Sequence, residues 1–533
     1  MNGTQQGKDG YRQLTGGVIA SWGAQLVQIA SGFIIPRWID HGLGRETLGI
    51  WDLAWSVVSY LSLLEAGVGS SVNRHVALYR AKGDFGGVNR VVSSVAILQR
   101  GMGALVFALA IGIAALLPAY LRTSSPAVVT DAKWLVVILG ASIAFSLSSA
   151  TYIGVLTGYH QWTVHYAIAG STRLAAILGM CSVLETGFGV VALAVVYLSC
   201  EIVGRIVRVI VAYRMCPQLS VRLRNVDRAT MRAMSGFGGR MFIGQMSGVL
   251  MVQTINMLIA GHLGPAALAL FARPRGLICQ AAVFPQKYAF MLTPASAALS
   301  ARRSRDELRR FVTEATRYGV CMAVPIMVFL GVDGGPLLKI WMGKAYADTS
   351  LILLLTLAFT AEIVYQPLNT LLLGLNLHGR PGVFSFVAAI CAAFATWLVL
   401  KFGGGLNAVA IAIGIPWSVV NGIYLPCYVC RRLDMSLPRF IGDVWTTAII
   451  SAVPFALALF GAQLVFPNGP VLALTVGSLI GGILLLALYW RWVIPESAKE
   501  SLRSKLGIAD RAKPIGDISH QDLEPDLVAH DQR

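Results

Sequence analysis

Charged residues are scarce in this sequence. They make up 13% of the 533 residues, whereas about a quarter is usual in a soluble globular domain. Hydrophobic residues make up 56%, and the mean hydropathy is +0.67. Apolar runs recur along the chain that are long enough to span a bilayer core of about 30 Å, which takes about 20 helical residues. The scarcity of charge excludes a large soluble domain and predicts an all-α polytopic membrane protein.

The sequence also lacks the usual signatures of catalytic sites. No HExxH, GxSxG or P-loop pattern occurs. The longest predicted outer loop, residues 332–349, has Asp333 and Asp348 as its sole acids. A membrane enzyme acting on lipid-linked sugars would need a catalytic face there, so it is the least favoured function. We predict no enzymatic activity and no cofactor.

The cysteine pattern excludes a disulfide framework. Most of the eight cysteines lie inside apolar runs, where a thiol behaves as a small hydrophobic group. Cys427 and Cys430 form a CxxC pair, but there is neither a second pair nor a nearby histidine cluster. A zinc site is therefore not favoured, and we predict no bound metal.

Apolar runs bounded by charge, Gly or Pro predict about fourteen membrane helices. Their limits are 14–36, 47–72, 94–118, 134–157, 164–185, 188–212, 238–262, 266–298, 311–331, 350–376, 383–401, 406–429, 442–466 and 470–493. We expect an N-lobe of helices 1–6 in residues 1–230, a C-lobe of helices 7–12 in 231–435, helices 13 and 14 in 436–495, and a disordered cytoplasmic tail in 496–533. An even number of spans places both termini on one side.

The basic residues test this topology, since Lys and Arg concentrate in cytoplasmic loops. Alternate loops are rich in arginine, as in 214–232, 302–310 and 431–439, whereas the loops between them hold few basic residues. The net charge of +17 is thereby explained by attraction to anionic inner-leaflet lipid rather than to nucleic acid. We predict a bacterial inner-membrane protein with both termini in the cytoplasm.

A weak internal repeat has an offset of about 220 residues, as expected for a transporter built from two related halves. The segment from Leu43 to Trp51 matches that from Leu263 to Phe271, and Gln25 matches Gln245. Both segments fall between corresponding helix pairs. Two six-helix lobes of the same orientation, plus a final helix pair, follow from the repeat.

Three stretches resemble a known family. They are the LGxxxLGxW turn at Leu43–Trp51, the stretch from Glu65 to Arg74 at the end of helix two, and the basic loop at Lys82-Gly83-Asp84. Together with the architecture, they resemble the polysaccharide (O-antigen type) flippase branch of the multidrug/oligosaccharidyl-lipid/polysaccharide exporter superfamily. Many flippases have Asp-Leu-Gly where this chain has Glu65-Ala66-Gly67, which is a mild departure.

The resemblance implies two lobes in a V around a lumen, alternating access, and a lipid-linked substrate such as an undecaprenyl-pyrophosphate oligosaccharide. It also implies the glycan polymerase and glycosyltransferases of the same pathway as partners, besides the membrane lipids. A cation-coupled drug or small-molecule antiporter of the same superfamily is the alternative. We expect such an antiporter to keep an acid in helix one or helix seven, and neither 14–36 nor 241–262 contains one.

Cations inside the predicted spans are candidates for contact with an anionic substrate, because a charge at mid-membrane is costly unless it faces a cavity, a partner or the interface. Helix eight holds Arg273, Arg275 and Lys287 beside two prolines, which predicts a cationic wall along a kinked helix. Arg173, in mid-span on helix five, is the best single candidate for a phosphate contact. Arg100 is a further candidate, although its long side chain could reach the interface instead. A pairing of Glu201 with Arg205 is expected on helix six.

Uncharged and acidic residues complete the predicted site. Gln25, Gln245, Gln253 and Asn256 offer hydrogen bonds to sugar hydroxyls, although each could equally join two helices. Glu362, with Gln366 and Asn369 on the same stripe of helix ten, and Glu65 are candidates for proton or sodium coupling. A role for Glu362 as counter-ion to an arginine is slightly favoured over coupling.

Overall fold

The computed structural model describes residues 2–63, 68–121, 125–301, 305–494, 496 and 499–500, with side chains in 16–63, 72–121, 125–227, 230–231, 246–300, 305–494, 496 and 499–500. Glu65 lies outside these residues, as does the predicted tail apart from residues 496, 499 and 500. Every regular element in the described part is helical. This agrees with the rule that a chain crossing lipid satisfies its backbone hydrogen bonds within each helix. The prediction of an all-α polytopic membrane protein is confirmed.

The helices of the N-terminal half are α1 (Asn2–Leu43), α2 (Arg45–Ser62), α3 (Val68–Ala81), α4 (Phe85–Tyr120), α5 (Pro126–Gly158), α6 (Trp162–Glu185) and α7 (Val190–Met215). Those of the C-terminal half are α8 (Arg228–Leu263), α9 (Pro265–Ala281), α10 (Val283–Ala301), α11 (Arg305–Met342), α12 (Thr349–Val364), α13 (Gln366–Gly374), α14 (Gly379–Lys401), α15 (Leu406–Ser418), α16 (Leu425–Arg432), α17 (Leu437–Val465) and α18 (Pro470–Trp492). A π-helical segment, Val419–Tyr424, joins α15 to α16.

Twelve segments of the described chain are long and apolar enough to cross a membrane, or thirteen if the bent pair α9 and α10 is one span; one of the twelve joins α12 to α13 and another joins α15 to α16. Among the described residues, the predicted count of about fourteen is therefore not confirmed. The region predicted as the second span is divided into α2 and α3, and residues 64–67 between them lie outside the description. Leu116, Leu464 and Leu486 are each 69% exposed, as expected of side chains that contact lipid.

Packing repeats between the two halves. In the N-terminal half, α1 packs along α6, α5 on α7, and α6 on α7. In the C-terminal half, α8 packs along α14, α12 on α15, and α14 on α15. These are equivalent pairs at the repeat offset, so both halves use the same helix-to-helix arrangement. The halves meet mainly through α2, which contacts α8 and α9.

Several predicted spans are interrupted. Within the span predicted at 350–376, Tyr365 separates α12 from α13, although the two helices together form one candidate span, Thr349–Gly374. The span predicted at 266–298 bends by 45° between α9 and α10. Pro285 explains this bend, because a proline ring clashes with the carbonyl four residues earlier, here that of Ala281, where α9 ends.

The predicted outer loop at 332–349 is wrong in extent. Helix α11 continues to Met342 and therefore includes Asp333, which is 1% exposed. Asp333 Oδ1 accepts a hydrogen bond of 2.5 Å from Gln463 Nε2 on α17. Asp348 remains outside the helices and caps α12 by accepting from the backbone N–H groups of Ser350 and Leu351. A buried acid with a polar partner can stay within a long helix, so charge alone does not mark its end.

Candidate functional site

A cavity of about 290 Å³ lies where α2 meets α8 and α9, between the two halves. Its lining also includes residues of α1 and α11. The lining residues are Gly32, Phe33, Pro36, Asp52, Trp55, Ser56, Ser59, Gln253, Asn256, Ala272, Arg273, Arg275, Gly276, Leu277, Gln280 and Trp341. We call this space the central cavity, since it touches both halves within the predicted membrane spans.

Matching glycines position the two helices that bring charge to this cavity. Gly44 precedes α2 with φ 86° and ψ 165°, and Gly264 precedes α9 with φ 88° and ψ 166°. Such positive φ values are readily adopted only by glycine. The two positions are equivalent in the sequence repeat, and both turns start a helix in the same way. Just after these turns α2 and α9 lie very close to each other. A Cβ added at Gly49 would lie 1.8 Å from the carbonyl oxygen of Pro265.

An ion pair joins the halves inside the cavity. Arg273 Nη2 on α9 donates to both carboxylate oxygens of Asp52 on α2. The side chains of Arg273 and Asp52 are only 8% and 15% exposed. A buried pair of this kind balances the cost of removing each charge from water, but neither member can be lost alone without leaving an uncompensated charge.

A second arginine in the cavity has no such partner. Arg275 lines the cavity two residues after Arg273, and its Nε atom is buried with no hydrogen-bond partner among the residues that the structure describes. With Arg273 and Arg275 against Asp52, the charged lining residues carry one net positive charge. The cavity therefore retains unfilled capacity for an anion.

Uncharged polar groups surround the charged ones. Asn256 Nδ2 on α8 donates to Ser56 Oγ on α2 at 2.9 Å and is 3.4 Å from Gln253 Oε1. Both Gln253 and Asn256 line the cavity, as their prediction as sugar-contacting residues requires. Gln25 is half-buried on α1 and is not a lining residue, and the side chain of Gln245 lies outside the described ranges.

One end of the interface between the halves is closed by a group of contacts that we call the outer seam, made by Phe33, Arg37, Asp40, Trp341 and Tyr346. Trp341 Nε1 donates to the Phe33 carbonyl at 2.8 Å, and the Tyr346 hydroxyl donates to the Asp40 carboxylate at 2.5 Å. Arg37 donates to the backbone carbonyl of Trp341. These residues lie at the helix ends that the arginine distribution assigns to the extracytoplasmic side.

The remaining predicted cations are elsewhere. The bend between α9 and α10 separates Lys287 from the two arginines, and Lys287 does not line the cavity. Arg100 is exposed on α4, as its alternative interpretation as an interface-reaching side chain requires. Arg173 lies over the ring of Tyr197, 5.5 Å from its centre. Tyr197 in turn packs edge-on against Trp55 of the cavity wall at 5.3 Å, so Arg173 is one ring removed from the cavity wall.

Glu362, the acidic candidate that the structure describes, does not line the cavity. Glu362 Oε2 on α12 accepts a hydrogen bond of 2.8 Å from Trp417 Nε1, and within the described ranges it forms no ion pair with an arginine. Its partner is an indole rather than the arginine that the counter-ion interpretation requires. Glu65 lies outside the described residues.

Sequence reasoning missed two residues. Asp52 was not considered among the membrane acids, because it lies near the start of the predicted second span and its partner is 221 residues away. Its position directly after the Leu43–Trp51 repeat segment is the signal that could have found it. Arg208 on α7 was overlooked in the same way, and it is only 8% exposed.

The arrangement can bind an anion. Guanidinium groups suit phosphate or carboxylate. Amide and hydroxyl side chains beside aromatic rings suit a sugar. A lipid-linked phosphate carrying a sugar combines both chemistries.

Comparison with known proteins concerns the family and the fold. Residues 87–351 match a family model described as polysaccharide biosynthesis protein. A Shigella flexneri protein, provisionally described as an O-antigen transporter, is 21% identical over 412 residues, which cover 73% of this chain and 92% of that protein.

Two solved structures share the fold. The lipid II flippase MurJ in an inward closed conformation has a TM-score of 0.65 at 14% identity, covering 90% of this chain and 99% of that one. An inward-facing multidrug resistance MATE family transporter of the MOP superfamily has a TM-score of 0.64 at 17% identity, covering 78% and 96%. The resemblance stated from the sequence is confirmed.

Proposed function

We propose that this chain, a multi-pass membrane protein with the fold of the multidrug/oligosaccharidyl-lipid/polysaccharide exporter superfamily, flips a lipid-linked oligosaccharide from the cytoplasmic to the outer leaflet. The substrate is a polyprenyl-pyrophosphate glycan destined for cell-surface polysaccharide. The relatives named as a flippase and as an O-antigen transporter support this substrate class. The membrane is the bacterial inner membrane.

The observation that carries the proposal is the net positive central cavity. Arg275 has a buried Nε without a partner in the described part of the chain. Arg273, in the C-terminal half, is paired with the single carboxylate of Asp52 in the N-terminal half. A pyrophosphate can occupy Arg275 and compete with Asp52 for Arg273, since guanidinium groups bind phosphate oxygens in pairs. Because the cavity is only about 290 Å³, it holds the pyrophosphate end while the lipid tail and the distal sugars extend beyond it.

The contacts of the outer seam suit a conformation that is closed on the outer side and receives its substrate from the cytoplasm. Its contacts join α1 to α11 at the predicted extracytoplasmic end. Binding that weakens the Asp52–Arg273 pair would loosen the same interface about two helical turns deeper in the membrane, and the halves could then separate on the outer side. A ligand shifts such an equilibrium only by its differential affinity for the two states, which here comes from the competition for Arg273.

The alternative is a cation-coupled antiporter of the same superfamily, favoured by the likeness to the MATE family structure and by the membrane carboxylate of Glu362. The sequence of α8 contains no Asp or Glu, and the only acid in α1 between residues 14 and 43 is Asp40, which the outer seam engages through Tyr346. An antiporter would also gain little from an unpaired arginine in its cavity. The flippase is therefore preferred.

Reconstitution in liposomes tests the proposal. Fluorescent polyprenyl-pyrophosphate oligosaccharide is placed in the membrane, and accessibility of the sugar to an external lectin is followed with time. We expect wild-type protein to expose the sugar and Arg275→Gln to lower the rate at least about tenfold, since a charge-assisted hydrogen bond to phosphate is lost. Arg310→Gln is the matched control, because Arg310 is 82% exposed and far from the cavity.

Two results would contradict the proposal. Equal sugar exposure by wild-type protein and by protein-free liposomes would refute flipping itself. Full activity of Arg275→Gln, with protein levels matched, would refute the role of the cavity. Proton-driven or sodium-driven export of a cationic dye by the same liposomes would instead favour the antiporter.

A further inference from the structure

A second group of buried charges lies in the N-terminal half, apart from the central cavity. It consists of His165 and Arg173 on α6 and of Glu201, Arg205 and Arg208 on α7, and we call it the α6/α7 cluster. Arg205 and Arg208 are 7% and 8% exposed. None of the five residues lines the central cavity. The proposed flipping mechanism makes no use of them.

The cluster holds more positive than negative charge. Glu201 Oε2 accepts a hydrogen bond of 3.0 Å from Arg205 Nη2, as the sequence predicts, and Arg205 Nη1 donates to Ser149 Oγ at 3.2 Å. Three guanidinium groups thus face one carboxylate, which leaves two net positive charges when His165 is neutral. The one acid is already committed to Arg205.

Arg208 is an arginine of the cluster whose positive charge is not paired with an acid among the described residues. In the portion of the chain that is described, it forms no ion pair, and its Nε atom is buried without a hydrogen-bond partner. Its charged neighbours on α7 are Arg205, which repels it, and Glu201, which attracts it. A cation more than nine-tenths buried without a paired anion is unfavourable. The arrangement is stabilised if an anion from outside the chain completes it.

His165 adds a second unsatisfied group at the same place. Its Nδ1 is buried without a partner in the described residues, and Arg208 lies within electrostatic reach of its ring. Because these groups come from two helices, they converge only through the packing of α6 on α7. That packing is tight: a Cβ added at Gly204 would lie 2.2 Å from Thr172 Oγ1.

The cluster runs along α6 and α7 from near their cytoplasmic ends to about the middle of both helices. His165 is in the first turn of α6, and Arg208 is two turns before the end of α7 at Met215. Both are therefore within about 10 Å of the helix ends that the charge pattern assigns to the cytoplasm. Arg173 lies deeper on α6 and contacts Tyr197, which packs on Trp55 of the cavity wall. The cluster therefore extends from near the cytoplasmic surface toward the cavity.

We propose that the α6/α7 cluster is a separate binding site for a phosphate group of a membrane lipid. Arg208 and His165 donate to the phosphate oxygens, and Arg205 supplies positive charge while it stays paired with Glu201. Arginine suits this ligand because its planar fork matches two phosphate oxygens. The phosphate belongs either to the pyrophosphate of a polyprenyl carrier or to the headgroup of an anionic phospholipid. Binding at this site does not depend on the proposed flipping activity.

Binding of defined probes to the purified full-length protein tests the site. The probes are farnesyl diphosphate, dioctanoyl phosphatidic acid and inorganic pyrophosphate, titrated in detergent and followed by native mass spectrometry and by thermal shift. We expect Arg208→Gln to weaken binding of at least one lipid probe by about 10- to 100-fold, which corresponds to one lost hydrogen bond to a charged group. Arg310→Gln, an exposed arginine on α11, should bind the probes like wild type.

The probes distinguish the two sources of the phosphate. Arg208-dependent binding of farnesyl diphosphate identifies a polyprenyl carrier, and Arg208-dependent binding of phosphatidic acid identifies a phospholipid. Equal binding of all three probes by wild type and by Arg208→Gln would overturn the proposal. So would an equal loss in Arg310→Gln, because the effect would then be one of total charge.

If Arg208 only stabilised the fold, Arg208→Gln would be less heat-stable than wild type. Without probe, Arg208→Gln should be at least as heat-stable as wild type, since it removes an uncompensated buried charge. If this variant does not fold, Arg208→Lys provides the test, because it keeps the charge and loses the fork. About tenfold weaker binding by Arg208→Lys supports the site, and unchanged binding overturns it. Loss of binding here with normal flipping, or the reverse, separates this site from the central cavity.

Discussion

At the scale of single residues, the central cavity contains two arginines and only one acid among its described lining residues. Asp52 can satisfy one arginine, and two arginines are within its reach. Arg273 takes both carboxylate oxygens, so Arg275 is the group left for a ligand. The two arginines are separated by one residue and yet have different roles, because only one of them faces the acid of the other half.

Asp52→Asn should show what the pair contributes. Removing one member of a buried ion pair leaves the other uncompensated, so we expect a loss of about 3–5 kcal/mol in the free energy of unfolding. The double variant Asp52→Asn/Arg273→Gln should recover part of this loss, because no unpaired charge remains. Thermal unfolding of the four proteins of this cycle, in the same detergent, measures the coupling. Strictly additive losses would show that the two side chains do not interact.

Residue pairs of this kind are where sequence reasoning fails. The helix composition identified Arg273 and Arg275 as membrane cations, and both line the cavity. It did not identify Asp52, since nothing local in the sequence links α2 to a helix 221 positions later. Arg173 was predicted for its depth alone, and depth does not say that Tyr197 and Trp55 lie between it and the cavity.

At the scale of elements, the close approach of α2 and α9 sets the geometry of the cavity. Gly49 lies against the backbone of Pro265, and the turns at Gly44 and Gly264 give both helices the same start. The close contact places Asp52 and Arg273, one and two turns further along their helices, opposite each other. A larger residue at the contact cannot be accommodated by a side-chain rotation, because the neighbour is backbone.

Gly49→Ala should therefore force α2 and α9 apart and open the outer seam. Spin labels at His41→Cys and Lys344→Cys, both exposed positions beside the seam, report the separation by double electron–electron resonance in a cysteine-free background. We expect a longer distance, or an added long-distance population, in Gly49→Ala. The control is Gly112→Ala on α4, where an added Cβ has open space. An unchanged distance in Gly49→Ala would mean that α2 and α9 can relax without moving the halves.

Element ends were predicted with uneven success, for physical reasons. The last span was predicted at 470–493 and α18 is Pro470–Trp492, because a proline and a short polar loop define its start. Helix α11 runs well beyond the predicted 311–331 at both ends, since a helix continues through charged residues such as Arg310 and Asp333 once the apolar core has ended. The break at Tyr365 has no proline of its own and was not foreseen, although Pro367 begins α13 just after it.

At the scale of the whole molecule, orientation in the membrane remains a prediction from charge. The loops rich in arginine should face the cytoplasm. Single cysteines at Lys82 and Lys344, both exposed and in loops of opposite expected side, can be labelled with a membrane-impermeant maleimide. We expect Lys344→Cys to react in cells whose outer membrane alone is permeabilised, and Lys82→Cys to react only after the inner membrane is opened. The opposite pattern would invert the topology and with it the direction of transport.

The global architecture was the most predictable level. Repeated apolar runs and alternating basic loops are properties of long segments, and errors at single residues average out over them. The equivalent packing of α1 on α6 and of α8 on α14 follows the weak repeat seen in the sequence. The contacts that link Arg173 of the α6/α7 cluster to the cavity wall through Tyr197 and Trp55 could not be predicted, because these residues lie on α6, α7 and α2.

The Asp52–Arg273 pair has a consequence for the empty protein. While no anion competes for Arg273, the pair and the outer seam hold the same interface shut at two depths. An unloaded protein would therefore seldom open outward, and a neutral solute that entered the cavity could not release the pair. If the protein flips a phosphate-bearing lipid as proposed, the membrane would then keep its ion gradients while no substrate is bound.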